Sequence, residues 1–167
     1  MNADQILNLK VVEIARGSTV GKVSGVLIDA ESRQVVALVL SGGTFGSTRY
    51  VPFQSIRSLQ NDVATIPSVD SIVHRSSYRS HGMLDSLTGR KVLTEDGIDL
   101  GEVRSYSIDT KSGEITSITF GRTGGFLGGI LGTGRDYETP SDTIKVLGDH
   151  VVVDNSVPDA VGYHKAA

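Results

Sequence analysis

Gly21-Lys22-Val23-Ser24-Gly25-Val26-Leu27-Ile28-Asp29-Ala30-Glu31-Ser32-Arg33-Gln34-Val35-Val36-Ala37-Leu38-Val39-Leu40 decides the fold, because the chain says it twice. At an offset of 80 comes Gly101-Glu102-Val103-Arg104-Ser105-Tyr106-Ser107-Ile108-Asp109-Thr110-Lys111-Ser112-Gly113-Glu114-Ile115-Thr116-Ser117-Ile118-Thr119-Phe120. The glycines, the Ile-Asp pair and the apolar positions recur in register. The match extends backwards, with Leu7 on Leu87, Val12 on Val92 and Gly17 on Gly97. Beyond the quoted stretch the offset becomes 88: Pro52 meets Pro140, Ile56 meets Ile144, Leu59 meets Leu147 and Val63 meets Val151. The second copy therefore carries eight extra residues between its halves. A long-period repeat of this kind signals a duplicated structural unit, here of about 70 to 80 residues.

Each copy reads as short strands separated by turns. Leu9–Ile14, Val20–Asp29, Val35–Leu40, Arg49–Phe53 and Asp62–Ile66 are the extended candidates in the first, with one helical turn expected over Gln54–Leu59. The second gives Arg90–Thr94, Leu100–Asp109, Glu114–Phe120, Asp136–Thr139 and His150–Asp154. Val35–Leu40 is a nearly continuous β-branched and apolar run, as in a strand buried on both faces. Ile118 and Phe120 fall two apart, the period of a half-buried strand. Gly113 suits a positive φ in the hairpin turn Thr110-Lys111-Ser112-Gly113. No ten-residue stretch carries a helical apolar period. The expectation is all-β: two small barrels in tandem, with Val35, Leu38, Ile115, Ile118 and Phe120 in their cores.

The domain plan is a first repeat at 1–67, a linker at 68–86, a second repeat at 87–155 with a glycine-rich insertion at 122–135, and a loosely ordered tail at 156–167. The linker carries His74, Arg75, Ser76, Ser77, Tyr78, Arg79, Ser80 and His81.

The ordered motifs resemble the PRC-barrel family. They are Gly21-Lys22-Val23, Ile28-Asp29, Val35–Leu40 and Val51-Pro52-Phe53-Gln54-Ser55-Ile56. Their second set is Gly101-Glu102-Val103, Ile108-Asp109, Ile115–Phe120 and Thr139-Pro140-Ser141-Asp142-Thr143-Ile144. Ser141 stands where the family's pattern has an aromatic. The resemblance implies a compact β-barrel of the kind found in the cytoplasmic part of the photosynthetic reaction-centre H subunit. The same barrel forms the C-terminal domain of a ribosome-maturation factor. It implies a docking module with no shared catalytic residues. An interaction or assembly role on a larger complex follows, for instance peripheral attachment to a photosynthetic-type membrane complex, with RNA- or ribosome-associated maturation as the alternative.

Composition narrows the chemistry. There are no cysteines, so disulfides, thiolate nucleophiles and cysteine-ligated zinc drop out together. A net charge of −3 argues against generic nucleic-acid binding. Residues 1–82 carry +2 and residues 83–167 carry −5. No apolar run approaches a membrane span, and Met1-Asn2-Ala3-Asp4-Gln5 lacks the basic start of a signal peptide, so a cytoplasmic location is expected.

Gly17-Ser18-Thr19-Val20-Gly21-Lys22-Val23 imitates a phosphate-binding loop. Its glycine spacing is one short, however, and Val23 stands where a hydroxyl should meet magnesium. Asp29 and Asp109 close equivalent strands, where an aspartate organises the following turn. His74, His81, His150 and His164 are scattered, without metal-ligand spacing. No G-x-S-x-G elbow presents a serine nucleophile. The expectation is no catalytic residue, no cofactor and no metal.

The segment that stands out is Arg122-Thr123-Gly124-Gly125-Phe126-Leu127-Gly128-Gly129-Ile130-Leu131-Gly132-Thr133-Gly134-Arg135. Two Gly-Gly-apolar-apolar units follow one another between arginines. Phe126, Leu127, Ile130 and Leu131 must be buried somewhere: on their own barrel, on a partner or on a second copy of the chain. Arg122 and Arg135 would frame such a contact.

Overall fold

The computed structural model describes residues 1–41, 48–60, 62–74, 78, 82–122 and 135–163. Two compact units divide the chain. The first comprises Met1–Ser86 with Ile108–Ile115, and the second Leu87–Ser107 with Thr116–Ala167.

The first unit's strands are β1 (Lys10–Glu13), β2 (Ser18–Asp29), β3 (Gln34–Leu40), β4 (Arg49–Pro52), β5 (Ser58–Leu59), β6 (Val63–Ile66), β7 (Val73–His74) and β8 (Met83–Leu84). A short helix, α1 (Ala3–Ile6), precedes them under a capping box of Asn2 and Gln5. The second unit has β9 (Lys91–Thr94), β10 (Asp99–Ile108), β11 (Ile115–Gly121), β12 (Asp136–Pro140), β13 (Ile144–Leu147), β14 (Val151–Val153) and a terminal turn of helix, α2 (Val157–Ala160). Ile108 and Ile115, at the ends of β10 and β11, are counted with the first unit.

The strand orders are the same. The first sheet runs β5-β6-β1-β2-β3-β4, the second β13-β14-β9-β10-β11-β12. Each pairs its first strand in parallel with the sixth strand of its repeat, β1 with β6 and β9 with β14. Each also shifts register at one place in its first antiparallel pair. Val11 faces Gly21 and Val12 faces Thr19, so Val20 bulges; Val92 faces Gly101 and Leu93 faces Asp99, so Leu100 bulges. Gly101 takes φ +112°, and a Cβ there would run into the Gly121 carbonyl. The expected core residues are buried: Val35 and Leu38 in the first unit's tally, Ile118 and Phe120 in the second's, and Ile115 with the first.

The register corrects three of the repeat pairings. Ile6, not Leu7, shares its place with Leu87: Leu9 N–H donates to the Ile6 carbonyl as Arg90 N–H does to that of Leu87, and Ile6 and Leu87 are both buried while Leu7 is exposed. Val11, not Val12, shares its place with Val92, since both face the strand-entry glycine. Ala64, not Val63, shares its place with Val151, because these two pair with Val11 and Val92. The turns after β1 and β5 are each one residue longer in the first copy. A one-residue slip reverses every side chain of a strand, which is why Val12 is half-buried and Val92 fully buried.

Other boundaries also move. The helical turn expected over Gln54–Leu59 is a single 3-10 turn at Phe53–Ser55, and β5 follows it. The last strand starts at Val151, so Asp149 and His150 lie in the bend before it, outside any strand alternation. The stretch expected as a linker supplies β7 and β8. Val73 pairs with Tyr50 and Leu84 with Ile28. Val73, Tyr78 and Met83 pack on a cluster of Leu27, Ala37 and Tyr50. The tail expected to be loose is held as far as Tyr163, with Val157 1% exposed. Arg75, Ser76, Ser77, Arg79, Ser80, His81 and His164 lie outside the described residues.

The tip Ile108–Ile115 forms part of the first unit's framework. Val35 N–H donates to the Gly113 carbonyl at 2.9 Å, and Ile115 N–H to the Arg33 carbonyl at 3.0 Å, around a bridge between Gln34 and Glu114. Gly113 has φ +77°, and a Cβ there would lie 2.6 Å from the Val35 carbonyl oxygen. The turn demands glycine for both reasons.

Candidate functional site

The expected contact segment leaves the second unit between β11 and β12, where Gly121 and Asp136 are the last paired residues. Phe126, Leu127, Ile130 and Leu131 lie outside the described residues. The two framing arginines are described, and both are exposed.

Arg122 is fixed from two sides. Its Nη2 donates to the Asp99 carbonyl at 2.9 Å, and its guanidinium carbon lies 5.9 Å from the centre of the Tyr163 ring. The Tyr163 hydroxyl donates to the same carbonyl at 3.2 Å. Tyr163 in turn meets Tyr137 edge-on at 5.4 Å, and Tyr137 lies 6.0 Å from the buried Phe120. A ladder of three rings therefore runs from the core to the arginine at the root of the loop.

Asp99 is the charged pivot beside it. Its Oδ1 accepts from Gly101 N–H at 2.9 Å and its Oδ2 from Lys91 Nζ at 3.3 Å. The Gly101 amide, then Lys91, with Arg122 adding its charge, hold its carboxyl below the usual aspartate range. Lys91, Asp99, Gly101, Glu102 and Arg122 line an open hollow of about 230 Å³. Arg104 stands 3.9 Å from Asp136 at the first residue of β12. The rim of the loop is thus built of alternating charges over an aromatic support. Among these described residues no nucleophile is paired with a base.

The two strand-closing aspartates and the loop glycines serve the backbone. Asp29 accepts from the amides of Glu31 and Ser32 at 2.9 and 3.1 Å. Asp109 accepts from those of Lys111 and Ser112 at 2.8 and 2.7 Å, and these bonds hold its carboxyl low. Gly17 takes φ +65° and Gly97 φ +81°, as turn glycines. Among the described residues no group of three His, Asp or Glu side chains converges as a metal site. Among them, too, no helix is long and apolar enough to cross a membrane.

Sequence reasoning did not anticipate Tyr163, Tyr137, Asp99 and Lys91 around Arg122. Tyr137 and Tyr163 are spaced by neither helical nor strand period, so only the fold brings them together. No curated protein matches the chain. The PRC-barrel domain model matches it twice, over residues 1–72 and 83–157. Two copies of one strand order, each with a bulge just before its entry glycine, belong with that match, and the chain is a member of the PRC-barrel domain family carrying the domain in tandem.

Proposed function

We propose that the chain is a non-catalytic assembly module that docks on a larger protein complex through the segment between Arg122 and Arg135. PRC-barrel domains are in general protein-interaction modules and not catalysts. The observation that carries the reading is the anchorage of Arg122. The stretch with four large apolar side chains follows directly on Arg122 in the sequence, and Arg122 is fixed by a main-chain bond and an aromatic ladder. Burying Phe126, Leu127, Ile130 and Leu131 at roughly 1.5–3 kcal/mol each offsets much of the cost of ordering the segment. Arg122 and Arg135 would then meet acidic groups at the polar rim. The partner is a protein, either a subunit of a larger complex, for instance a photosynthetic-type membrane complex, or another copy of this chain.

Replacing Gly124–Gly134 with a short Gly-Ser linker tests this directly. The melting temperature should stay nearly unchanged, and association, followed by sedimentation and by pull-down, should be lost. Unfolding of the second unit in this variant would place the four apolar residues in its core and overturn the reading.

A further inference from the structure

We propose that the outer edge of β12 receives an extended, basic segment of a partner protein as an added antiparallel strand. This rests on the docking role proposed above and names the chemistry of the partner at the same end of the second unit.

The chain contains its own template. β4 and β12 hold the same place in the two strand orders, each paired on one side with the second strand of the hairpin. On its other side β4 is paired with β7, His74 against Arg49 and Val73 against Tyr50. Among the described residues β12 ends its sheet. It is five residues long where β4 has four, so it offers at least as much main chain to a guest strand.

Side chains specify the guest. Val39 faces Tyr50 in the first unit and Thr119 faces Glu138 in the second, so Glu138 stands where Tyr50 stands. Tyr50 receives valine from β7. An exposed carboxylate in its place favours lysine or arginine across the ladder. Asp136, exposed and only 3.9 Å-paired to Arg104, adds negative charge at the near end. The same two carboxylates disfavour a second β12, since an antiparallel pair of these strands sets like charges against one another. Asp136 directly follows Arg135, so a partner gripping the loop reaches this edge next.

The test uses the full chain, isotope-labelled, with three capped hexapeptides. One alternates lysine with valine, one alternates glutamate with valine, and one is the lysine peptide with alternate amides N-methylated. The lysine peptide should shift the amides of Asp136, Tyr137, Glu138 and Thr139. N-methylation should abolish the effect, and the glutamate peptide should leave these amides unmoved. Glu138→Lys should weaken the lysine peptide on the order of fivefold, with core amide protection in β9–β11 retained as the check on folding. Three results would each overturn the proposal. The lysine peptide leaves β12 unmoved, or the N-methylated peptide binds equally well, or the β12 amides that point away from β11 are already protected like interior ones before peptide is added. The loop-replacement variant separates the two ideas. Peptide binding at β12 alongside undiminished association of that variant sinks the loop reading alone. Lost association without any peptide effect at β12 sinks the edge proposal alone.

Discussion

The two hairpins have the same inside and opposite outsides. In the first unit Leu27, Ala37 and Tyr50 are buried, with Val36 and Val39 packed beside them under Val73, Tyr78 and Met83. The corresponding places in the second unit hold Ser107, Ser117, Glu138, Thr116 and Thr119. None of these five is buried, and the Ser117 hydroxyl donates to Glu138 at 2.6 Å. One copy has acquired a cover of its own chain and an apolar face to match. The other has kept a hydroxylated face with no such cover among the described residues. The barrel interior therefore defines this fold, while the outer face is free to be rewritten for whatever lies over it.

Truncation should separate inside from outside. Leu38→Ala and Ile118→Ala, at equivalent positions that are both 0% exposed, should each cost about 2–5 kcal/mol in denaturant unfolding. Leu27→Ala should fall in the same range, about 2–5 kcal/mol, while its counterpart Ser107→Ala should stay within about 0.5 kcal/mol. Equal costs at Leu27 and Ser107 would end the distinction between the two faces.

A smaller effect is expected at the hairpin turns. Arg33 sits at φ +56° where the second copy has Gly113 at φ +77°. The first turn tolerates a side chain, but the second is hemmed in by Val35 and Phe53. Gly113→Ala should cost on the order of 1–3 kcal/mol. A neutral outcome in thermal unfolding would show that the Val35–Gly113 bond is dispensable.

The smallest difference concerns acid. In the second unit Asp154 accepts from the Ser156 amide and hydroxyl at 2.9 and 2.6 Å and from Lys145 at 3.1 Å. The Ser156 hydroxyl, then its amide, then Lys145 lower its pKa to about 2. Pro67 holds the corresponding place in the first unit, where Glu13 of β1 instead accepts from the amide of Val69, the counterpart of Ser156, at 3.2 Å. A depressed pKa stabilises the fold above the unfolded value, and that contribution disappears as pH falls from about 3.8 towards about 2. Amide shifts of Ser156 and Val157 should follow this titration, and Asp154→Asn should remove it. Titration near the ordinary aspartate value would mean these hydrogen bonds do not form in solution.

Much of this contrast was legible in the sequence. The continuous run Val35–Leu40 announced a strand covered on both sides, and the spacing of Ile118 and Phe120 announced one covered on a single side. What covered the first face was hidden, because Val73, Tyr78 and Met83 are scattered among serines and basic residues and show no period. The repeat fixed topology but misplaced β1 and β6 by one residue, since turn lengths leave no mark on an apolar pattern. At the candidate site Arg122 and Arg135 could be picked out as brackets of a composition shift. The Tyr137–Tyr163 ladder could not, because it joins a strand to a tail that carries no apolar pattern.

The hairpin tip Ile108–Ile115 has a consequence for how the protein is made. During synthesis the first unit emerges through Ser86 without the Gly113 carbonyl that receives Val35 N–H and without Ile115, whose amide binds Arg33. It can condense early, as N-terminal units do on the ribosome, but it stays open along the β3 end of its first hairpin. Closure waits until residue 115 has cleared the exit tunnel, by which time more than half of the chain has been translated. No single cut can therefore yield a finished first unit, and a nascent chain stalled before residue 115 should behave as an incomplete one.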